Sequence, residues 1–594
     1  MSRFFLWLFF YSLYNVLMWT KNQELAKIFN QIAIFLEMKG IAFKPQAYER
    51  VALELVALSE DVFAIYQREG FTGLKKIPGV GEGIAKAIEE YLRTGKIRFY
   101  EDLKKKMPVN LEELTAVEGI GPKTIKVLYQ KLGVKDLRGL EKAARANKVR
   151  SLENFGEKSE ANILQSIEFL KRSKGRFLLG DILPEIQAVV EKLRDFRQVK
   201  VVDIAGSLRR CKETIGDADI LAVSGNPKGV MDFFVSLPGV VKVWGKGGTK
   251  ASIRMKQGFD IDLRIVPARS YGAALQYFTG SKEHNIALRK IAIERGLKLN
   301  EYGLFKGRKI LASENEKKIY QALGLAYIEP ELRENQGEVE AAFSNKLPRL
   351  IDQEDILGDL HCHSNWDGGR DSITEMAKTA QKMGYQYIGI ADHTKFLRIE
   401  HGLDEKQLLH QKKEIEKLNS KFKILNLKFQ ILHGCEANIL NDGSLDIKDE
   451  ALAKLDFVIA GVHSNLKMPK GQMTERIVRA MKNPNVDIIS HPTGRILQKR
   501  DEYQADFPMM LQAAKKTGTI LEINAYPDRL DLKDSHIRQA KMMGVKMIIN
   551  TDSHSKTQLG VMSFGVTQAR RGWAEKKDII NCQPAEKLLS FLKH

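Results

Sequence analysis

Hydrophobic patterning changes character several times along the chain. From residue 21 to about 60 apolar residues recur at helical spacing, as in LAKIFNQIAIFLE, and predict amphipathic helices. Two stretches then place a Gly-x-Gly between helical patterns: LKKIPGVGEGIAKAIEEYL, with Gly79-Val80-Gly81, and ELTAVEGIGPKTIKVLYQKL, with Gly119-Ile120-Gly121. LENFGEKSEANIL reads as a third, degenerate copy. Past about residue 176 short apolar strands take over. DADILAV is bounded by Gly225, and FDIDLRIVP alternates acid and aliphatic positions. A polar, charge-rich stretch at 331–355 predicts a linker. Beyond it, short apolar runs such as YIGIADH, DFVIAGVHS, VDIISHP and VKMIINTDSH alternate with helical stretches, which predicts a parallel barrel with its functional residues at strand C-termini.

Composition adds three points. A chain of 594 residues holds several domains. A formal net charge of +20 suits a polyanionic partner. Four cysteines without a CxxC argue against a disulfide scaffold or zinc ribbon, which makes a reducing cytoplasm the expected location. Phe4 to Trp19 carry no charge, yet this apolar stretch is short for a membrane span and lacks a small-residue cleavage site. We expect residues 1–17 to precede a true start at Met18, and no stable membrane partner.

The candidate chemistry begins at GSLRRCKETIGDAD, Gly206 to Asp219. On a strand Asp217 and Asp219 share one face, and two neighbouring carboxylates require a proton or a cation between them. Hard oxygen ligands without His or Cys suit Mg²⁺ or Mn²⁺. Asp260 and Asp262 alternate on a second strand that a sheet could bring alongside. A glycine turn and paired arginines before the acids suit a triphosphate. An ordinary acidic strand end is the plain alternative for a lone DxD.

GSLRRCKETIGDADI and YFTGSKEHNIALR resemble the nucleotidyl-transfer core of the family X DNA polymerases, the family of DNA polymerase beta, over roughly residues 21 to 330. The resemblance implies that Asp217, Asp219 and Asp262 are catalytic Mg²⁺ ligands. Asp262 is preferred over Asp260 because it precedes Leu-Arg. It implies dNTP contacts from Ser207, Arg210, Gly216, Tyr277, Phe278, Gly280 and Asn285, and a softer one from Lys250 in GGTKAS. Arg289 would contact the DNA minor groove. The Gly-x-Gly stretches resemble helix-hairpin-helix motifs, in which a tight turn aims backbone N–H groups at a DNA phosphate. Gly79, Gly81, Gly119, Gly121 and Lys123 are then DNA-binding. Carried over from the family, main-chain carbonyls of Lys75, Ile77, Val80, Thr115, Val117 and Ile120 would hold Na⁺ or K⁺. The position of the family's lyase lysine is Ala87. Lys86, next to it, faces about 100° away on a helix.

The last part carries His361, His363, Asp367, His393, Glu436, His463, His491, Asp552 and His554, nearly all at strand ends. Mixed imidazole and carboxylate ligands suit Mn²⁺ or Zn²⁺. This part resembles a PHP domain, the polymerase and histidinol phosphatase superfamily. One departure is HSNWDGG, where Asp367 falls one place earlier than in many relatives. His401 reads as loop filler.

The expected fold class is multidomain α/β. Residues 18–100 and 101–175 form two helical helix-hairpin-helix domains. Residues 176–266 form an α+β nucleotidyltransferase palm, 267–330 a thumb-like subdomain, and 356–594 a distorted (β/α)7 PHP barrel. The resemblance implies a monomeric DNA-directed DNA polymerase that fills short gaps in repair, acting on gapped or primer-template DNA with dNTPs. It also implies a metal-dependent 3′–5′ exonuclease, with abasic-site cleavage or 3′-phosphate removal as further activities of that half. Two other readings stand beside it: a small-molecule phosphatase tethered to a DNA-binding module, and a non-catalytic DNA-end scaffold.

Overall fold

The structure is a computed structural model that describes residues 19–58, 61–115, 117, 120–152, 155–173, 175–424 and 428–593. Met18, Gly119 and the apolar residues before Met18 lie outside the described residues. In the first helix, Trp19–Met38, Leu25, Phe29, Ile32 and Leu36 recur every three or four positions and are all buried. The helices that follow join it around one apolar core running from Leu25 to Ile167. The helical regions expected to divide near residue 100 therefore share a single core. A hairpin of two short helices has too little apolar surface to stand alone.

The three hairpin copies use one backbone pattern. Val80 N–H donates to the Ile77 carbonyl at 3.0 Å, Ile120 N–H to Val117 at 3.1 Å, and Phe155 N–H to Leu152 at 3.0 Å. In each copy the following helix starts on a glycine carbonyl, from Gly81 to Ala85, Gly121 to Ile125 and Gly156 to Glu160.

The palm is a five-stranded mixed sheet: β1 (Val199–Ile204), β2 (Asp217–Ser224), β3 (Val240–Lys246), β4 (Lys250–Met255) and β5 (Asp260–Ile265), in the order β1-β2-β5-β4-β3. Only β2 and β5 run parallel. The thumb region packs helices Tyr271–Thr279 and Lys282–Glu294 on a small antiparallel sheet of Lys298–Asn300, Gly303–Lys306 and Lys309–Ala312. It is tied to the palm by Glu316, which binds Arg209 at 2.7 Å and the fully buried Arg333 at 2.6 Å.

Residues 331–355, expected as a linker, are folded. Glu338 begins the helix Glu338–Phe343 and is fully buried against His284 at 2.7 Å, while Leu350 and Ile351 enter hydrophobic cores. Glu331, Arg333, Glu334 and Glu338, charges that made this stretch read as solvated, are all paired.

The last part is a sheet of seven parallel strands: β6 (Gly358–Cys362), β7 (Tyr387–Ile390), β8 (Gln430–Asn438), β9 (Phe457–Gly461), β10 (Ile488–Ile489), β11 (Ile520–Asn524) and β12 (Met547–Asn550), ordered as in the sequence. A parallel bridge between Cys362 and Ser553 brings the two ends together into a barrel. Leu360, Leu432, Ile459, Ile488, Ile520 and Ile548 fill the barrel interior, and Ile580, Leu588 and Leu592 join this core. Their strand neighbours pack outward on the helices. Burial on both faces accounts for the unbroken apolar runs.

Palm and barrel meet along a polar seam. Glu213, in the loop that leads to β2, accepts from Arg495 at 2.5 and 3.2 Å and from Gln568 at 2.7 Å. The buried Arg571 donates to the Arg210 carbonyl at 2.8 Å and pairs with Glu334 and Asp534 at 3.2 and 2.5 Å. Gly180 abuts Pro527 so closely that a Cβ there would meet it at 2.3 Å. Among the described residues no helix is long and apolar enough to cross a membrane.

Candidate active sites

In the palm, β2 and β5 lie side by side in a register that pairs Asp217 with Asp260 and Asp219 with Asp262. All four acids therefore share one face. They are not equivalent. Asp260 is taken up by a fork from Arg254, 2.8 Å to each oxygen, and by the Trp244 indole at 2.9 Å. Asp262 pairs with Lys250 at 2.7 Å, a side chain that is 46% exposed. Burial, reinforced by Asp217 and Asp262, pushes Asp219 up to about 7, and burial with Asp262 also raises Asp217. This cluster carries more negative charge than its surroundings balance, and a divalent ion fits it.

A cleft of ≈ 860 Å³ opens on Asp217, Asp260 and Asp262 and is walled by Trp244, Lys246 and Gly247. Gly206, which opens the GSLRR motif, stands directly against Asp219. Its φ is +62°, and a Cβ there would lie 2.2 Å from Asp219 Oδ2. Only glycine permits both that backbone turn and that approach.

The expected triphosphate contacts are held from behind. Arg210 donates through Nη1 to the Thr279 carbonyl and through Nε to Glu334 at 3.0 Å, which leaves Nη2 uncommitted. Gly280, with φ +70°, lies 3.1 Å from Arg210 Nη1 at the position a Cβ would take. Ser207 lies in the short helix Gly206–Arg209, and Gly216 immediately precedes β2. Tyr277 and Phe278 stack edge-to-face at 5.1 Å, with Arg264 over the Phe278 ring. Asn285 is fixed by Gln276 at 2.7 Å and by the Tyr277 carbonyl at 2.6 Å. Arg289 donates to the Asn285 carbonyl at 3.2 Å.

In the helical region Gly79 adopts φ +80° and Gly81 caps Glu82–Thr94. Gly121 caps Pro122–Leu132, which begins Pro122-Lys123. The side chains of Ile77, Val80, Val117 and Ile120 are buried, so these turns are fixed by packing. The Ile77 and Val117 carbonyls each accept a turn hydrogen bond, while Lys75 and Thr115 close the helices before the turns. Ala87 faces the core, whereas Lys86 is exposed and pairs with Glu82 at 2.8 Å.

In the barrel the nine expected residues come together at the strand C-termini, Asp367 in a group with His363 and Asp392. Glu436, at the end of β8, is central: His393 Nδ1 lies 2.9 Å away, His491 3.1 Å, and His361 and His463 3.3 Å each. Asp552 approaches His363 at 3.4 Å, His361 at 3.5 Å and His554 at 3.9 Å. The ligand atoms of His363, His393 and His554 gather within 4.8 Å, as do those of His361, His363 and Asp552, and of His393, Glu436 and His463. His361 Nε2, His363 Nε2, His463 Nδ1 and Nε2, and Glu436 Oε2 are buried without a hydrogen bond. Orphaned imidazole nitrogens and a carboxylate oxygen aimed at one space fit divalent ions. Burial alone would lower His361, but Glu522, Glu436 and Asp552 hold it well above the ordinary imidazole range.

Asp367 stands behind His363. Its oxygens accept from His363 Nδ1 at 2.7 Å, His393 N–H at 2.9 Å and Gly369 N–H at 2.9 Å. His401 is exposed at a turn and apart from the cluster. Three contributors were not singled out in the sequence. Glu522 receives His361 Nδ1 at 2.7 Å and so fixes that ring, as outer partners of metal-ligating histidines do. Its only signal was an acid inside the apolar strand ILEIN. Asn524 donates to Asp552 at 3.1 Å. Gly461 admits the cluster, since a Cβ there would lie 2.7 Å from His463 Cε1 and 2.9 Å from Glu436 Oε1.

Comparisons with known proteins agree with this layout. Family models match a helix-hairpin-helix domain at residues 20–97, a SAM-like helix-hairpin-helix tandem at 111–168, the DNA polymerase beta thumb at 274–334 and a PHP domain at 359–526. Proteins named "Probable phosphatase" from Thermoanaerobacter sp. (strain X514) and Acetivibrio thermocellus are 34% and 30% identical over 217 and 211 residues, which is 34% of this chain and 82% and 81% of theirs. The DNA polymerase/3′-5′ exonuclease PolX of Bacillus subtilis (strain 168) is 38% identical over 577 residues, covering 96% of this chain and 99% of that protein. With that identity running the length of both proteins, the chain belongs to the PolX family of family X DNA polymerases that carry a PHP domain.

Proposed function

We propose that this chain is a DNA-directed DNA polymerase that fills short gaps in cytoplasmic DNA repair, and that its barrel is a metal-dependent 3′–5′ exonuclease. The observation that carries the polymerase reading is the pairing of Asp219 with Asp262 across parallel strands, with Asp217 beside them and a cleft in front. Asp217, Asp219 and Asp262 would hold Mg²⁺; His361, His363, His393, Glu436, His463, His491, Asp552 and His554 would hold Mn²⁺ or Zn²⁺. Bound there, such ions supply charge neutralisation at phosphate and lower the pKa of water.

The chain's own groups do the positioning. Gly206 lets Asp219 stand directly against the turn that carries Ser207 and Arg210. Lys250 pairs with Asp262 at 2.7 Å and lines the cleft, where its ammonium would neutralise a triphosphate if a cation held Asp262. Arg210, clamped at Nε and Nη1, offers Nη2 to a phosphate. The Arg254–Trp244 fork keeps Asp260 out of the metal set. The primer 3′-OH attacks the α-phosphate in line and pyrophosphate departs. In the barrel, Glu522 and Asp367 hold the His361 and His363 rings by Nδ1, so that each presents Nε2. We read Asp367 as a positioning residue. The hairpin turns at Gly79, Gly81 and Gly121 bind DNA phosphates without reading sequence.

The test is a primer-template assay on the full chain with Mg²⁺ and Mn²⁺ titrated separately. Extension without shortening in Mg²⁺, and added shortening in Mn²⁺, is expected. A chain that dephosphorylates histidinol phosphate but processes no 3′ end would favour the phosphatase reading.

A further inference from the structure

Glu338 opens the helix Glu338–Phe343, in the stretch that joins thumb to barrel, and its side chain is fully buried. Oε1 accepts from His284 Nδ1 at 2.7 Å and from Asn335 N–H at 2.8 Å, and Oε2 accepts from Gln336 N–H at 2.6 Å. The other ring nitrogen of His284, Nε2, lies 2.8 Å from the Tyr320 hydroxyl. His284 and Tyr320 are themselves fully buried. Burial outweighs Glu338 and lowers His284 below the ordinary imidazole range, so the ring is neutral at neutral pH. A carboxylate only accepts, so the ring proton sits on Nδ1 and Nε2 accepts from Tyr320. Both nitrogens are thereby committed, and the ring has one orientation.

His284 stands on the first turn of the thumb helix Lys282–Glu294. Its N–H is capped by Ser281 Oγ at 3.2 Å, and Ser281 N–H reaches the Arg333 carbonyl at 3.0 Å. The next residue is Asn285, an expected nucleotide contact. Its Oδ1 accepts from Gln276 and one Nδ2 hydrogen goes to the Tyr277 carbonyl, which leaves the second Nδ2 hydrogen free among the described residues. Neighbouring residues on a helix stand about 100° apart, so the rotation that seats His284 on Glu338 also sets where Asn285 points. Arg289, one turn on, shares that rotation. The brace is held in turn from the barrel. Arg538 donates to the Gln336 carbonyl at 2.6 Å, and its guanidinium lies over the Trp573 ring at 3.9 Å. Resting on the polymerase reading above, we propose that Glu338, acting through His284, is a positioning residue for nucleotide selection. It sets the first turn of the helix so that the second Asn285 Nδ2 hydrogen meets the minor-groove acceptor of the incoming base. Purine N3 and pyrimidine O2 both offer that acceptor, so the contact tests the shape of the pair and not the identity of the base.

The experiment measures single-nucleotide gap filling opposite cytosine by the full chain in Mg²⁺, with dGTP and with 3-deaza-dGTP, which lacks the N3 acceptor. The wild-type chain should use dGTP about 10-fold better in kcat/KM, the worth of one neutral hydrogen bond at the upper end of its range. Asn285→Ala should bring that ratio to about 1. Glu338→Gln keeps the volume but turns an amide N–H₂ toward a backbone N–H. It should cut the ratio to about 2, chiefly through a higher KM for dGTP. Tyr320→Phe removes only the hydroxyl at the far end of the chain of bonds. It should move the ratio the same way by a smaller factor, and it carries the test if Glu338→Gln does not fold. A merely structural role lowers the active fraction, which scales both nucleotides alike and leaves the ratio untouched. A wild-type ratio near 1, or the wild-type ratio in folded Glu338→Gln or Tyr320→Phe, overturns the proposal and leaves the polymerase reading standing. If the wild-type chain incorporates neither nucleotide, the polymerase reading falls and the proposal falls with it.

Discussion

Replacing Gly206 by alanine tests how the palm positions its acids. The new Cβ would start 2.2 Å from Asp219 Oδ2 and 3.1 Å from Cγ, where ordinary contact begins near 3.4 Å. The carboxylate must therefore retreat by about 1 Å. Because the Asp219 carbonyl accepts from Ala205 N–H at 2.8 Å and its strand is locked to β5, the backbone stays and the shift falls on the side chain, which carries the carboxylate away from its position. Holding alanine at φ +62° costs about 1–2 kcal/mol more, which a domain of this size tolerates. A misplacement of about 1 Å at a reacting centre costs roughly 100-fold in rate, or about 2.7 kcal/mol of activation free energy. Gly206→Ala should thus lower kcat for single-nucleotide gap filling about 100-fold, with the melting profile and DNA affinity close to those of the parent. Shortening in Mn²⁺ should be untouched. Gly225→Ala, at the far end of β2 where a Cβ meets nothing within 4 Å, is the control and should stay within about 2-fold. A folded Gly206→Ala chain with wild-type kcat would refute the argument that Asp219 must stand against this turn.

Further outcomes follow from the same geometry. Asp262→Asn should abolish extension while Asp260→Asn retains most of it, because Asp260 is neutralised by Arg254; primer extension decides, and the reverse order would reassign the third ligand. His361→Ala should remove both barrel-bound metal, read by elemental analysis, and 3′ shortening, yet spare extension in Mg²⁺. Asp217→Ala should do the converse, and loss of both activities in Asp217→Ala would place the nuclease in the palm. Burial would raise Glu316, but Arg333 and Arg209 outweigh it and hold its carboxyl at about 2. A depressed folded value contributes stability above the unfolded value near 4.5 and loses it as pH falls toward 2, worth on the order of 3 kcal/mol. Urea unfolding of the thumb region should weaken across pH 5 to 2, and Glu316→Gln should flatten that slope while destabilising the protein at neutral pH.

Much of this was legible because chemistry and pattern coincided. Asp217, Asp219 and Asp262 sit on strands whose alternation fixes their face, and the barrel histidines end apolar runs that could only be buried strands. The pairing register of β2 with β5 was not legible, since it depends on a crossover through β3 and β4. Residues acting through others also escaped. Glu522 looks like any acid within ILEIN, and only the folded barrel brings it to His361, 161 positions away. The stretch at 331–355 misled for the opposite reason. Its charges predict solvent exposure only until the partners of Glu331, Arg333, Glu334 and Glu338 are known.

The seam between palm and barrel bears on how the enzyme can be taken apart. Glu213 lies in the short connection between Arg210 and Asp217, and its partners Arg495 and Gln568 belong to the barrel. Arg571 is buried and keeps Asp534 within the barrel, while its bonds to the Arg210 carbonyl and to Glu334 cross the seam and are made only when the joint is closed. A buried charge left without its partner costs several kcal/mol, so the seam behaves as a keyed joint. A polymerase half cut free of the barrel is therefore not a smaller copy of the enzyme. Its nucleotide loop has lost the wall it leans on, and Glu334 holds Arg210 without the counter-pull of Arg571. Any drop in extension after truncation then measures a loosened loop together with a missing domain, and point variants in the barrel's metal cluster, which leave the joint closed, are the cleaner way to silence one site and listen to the other.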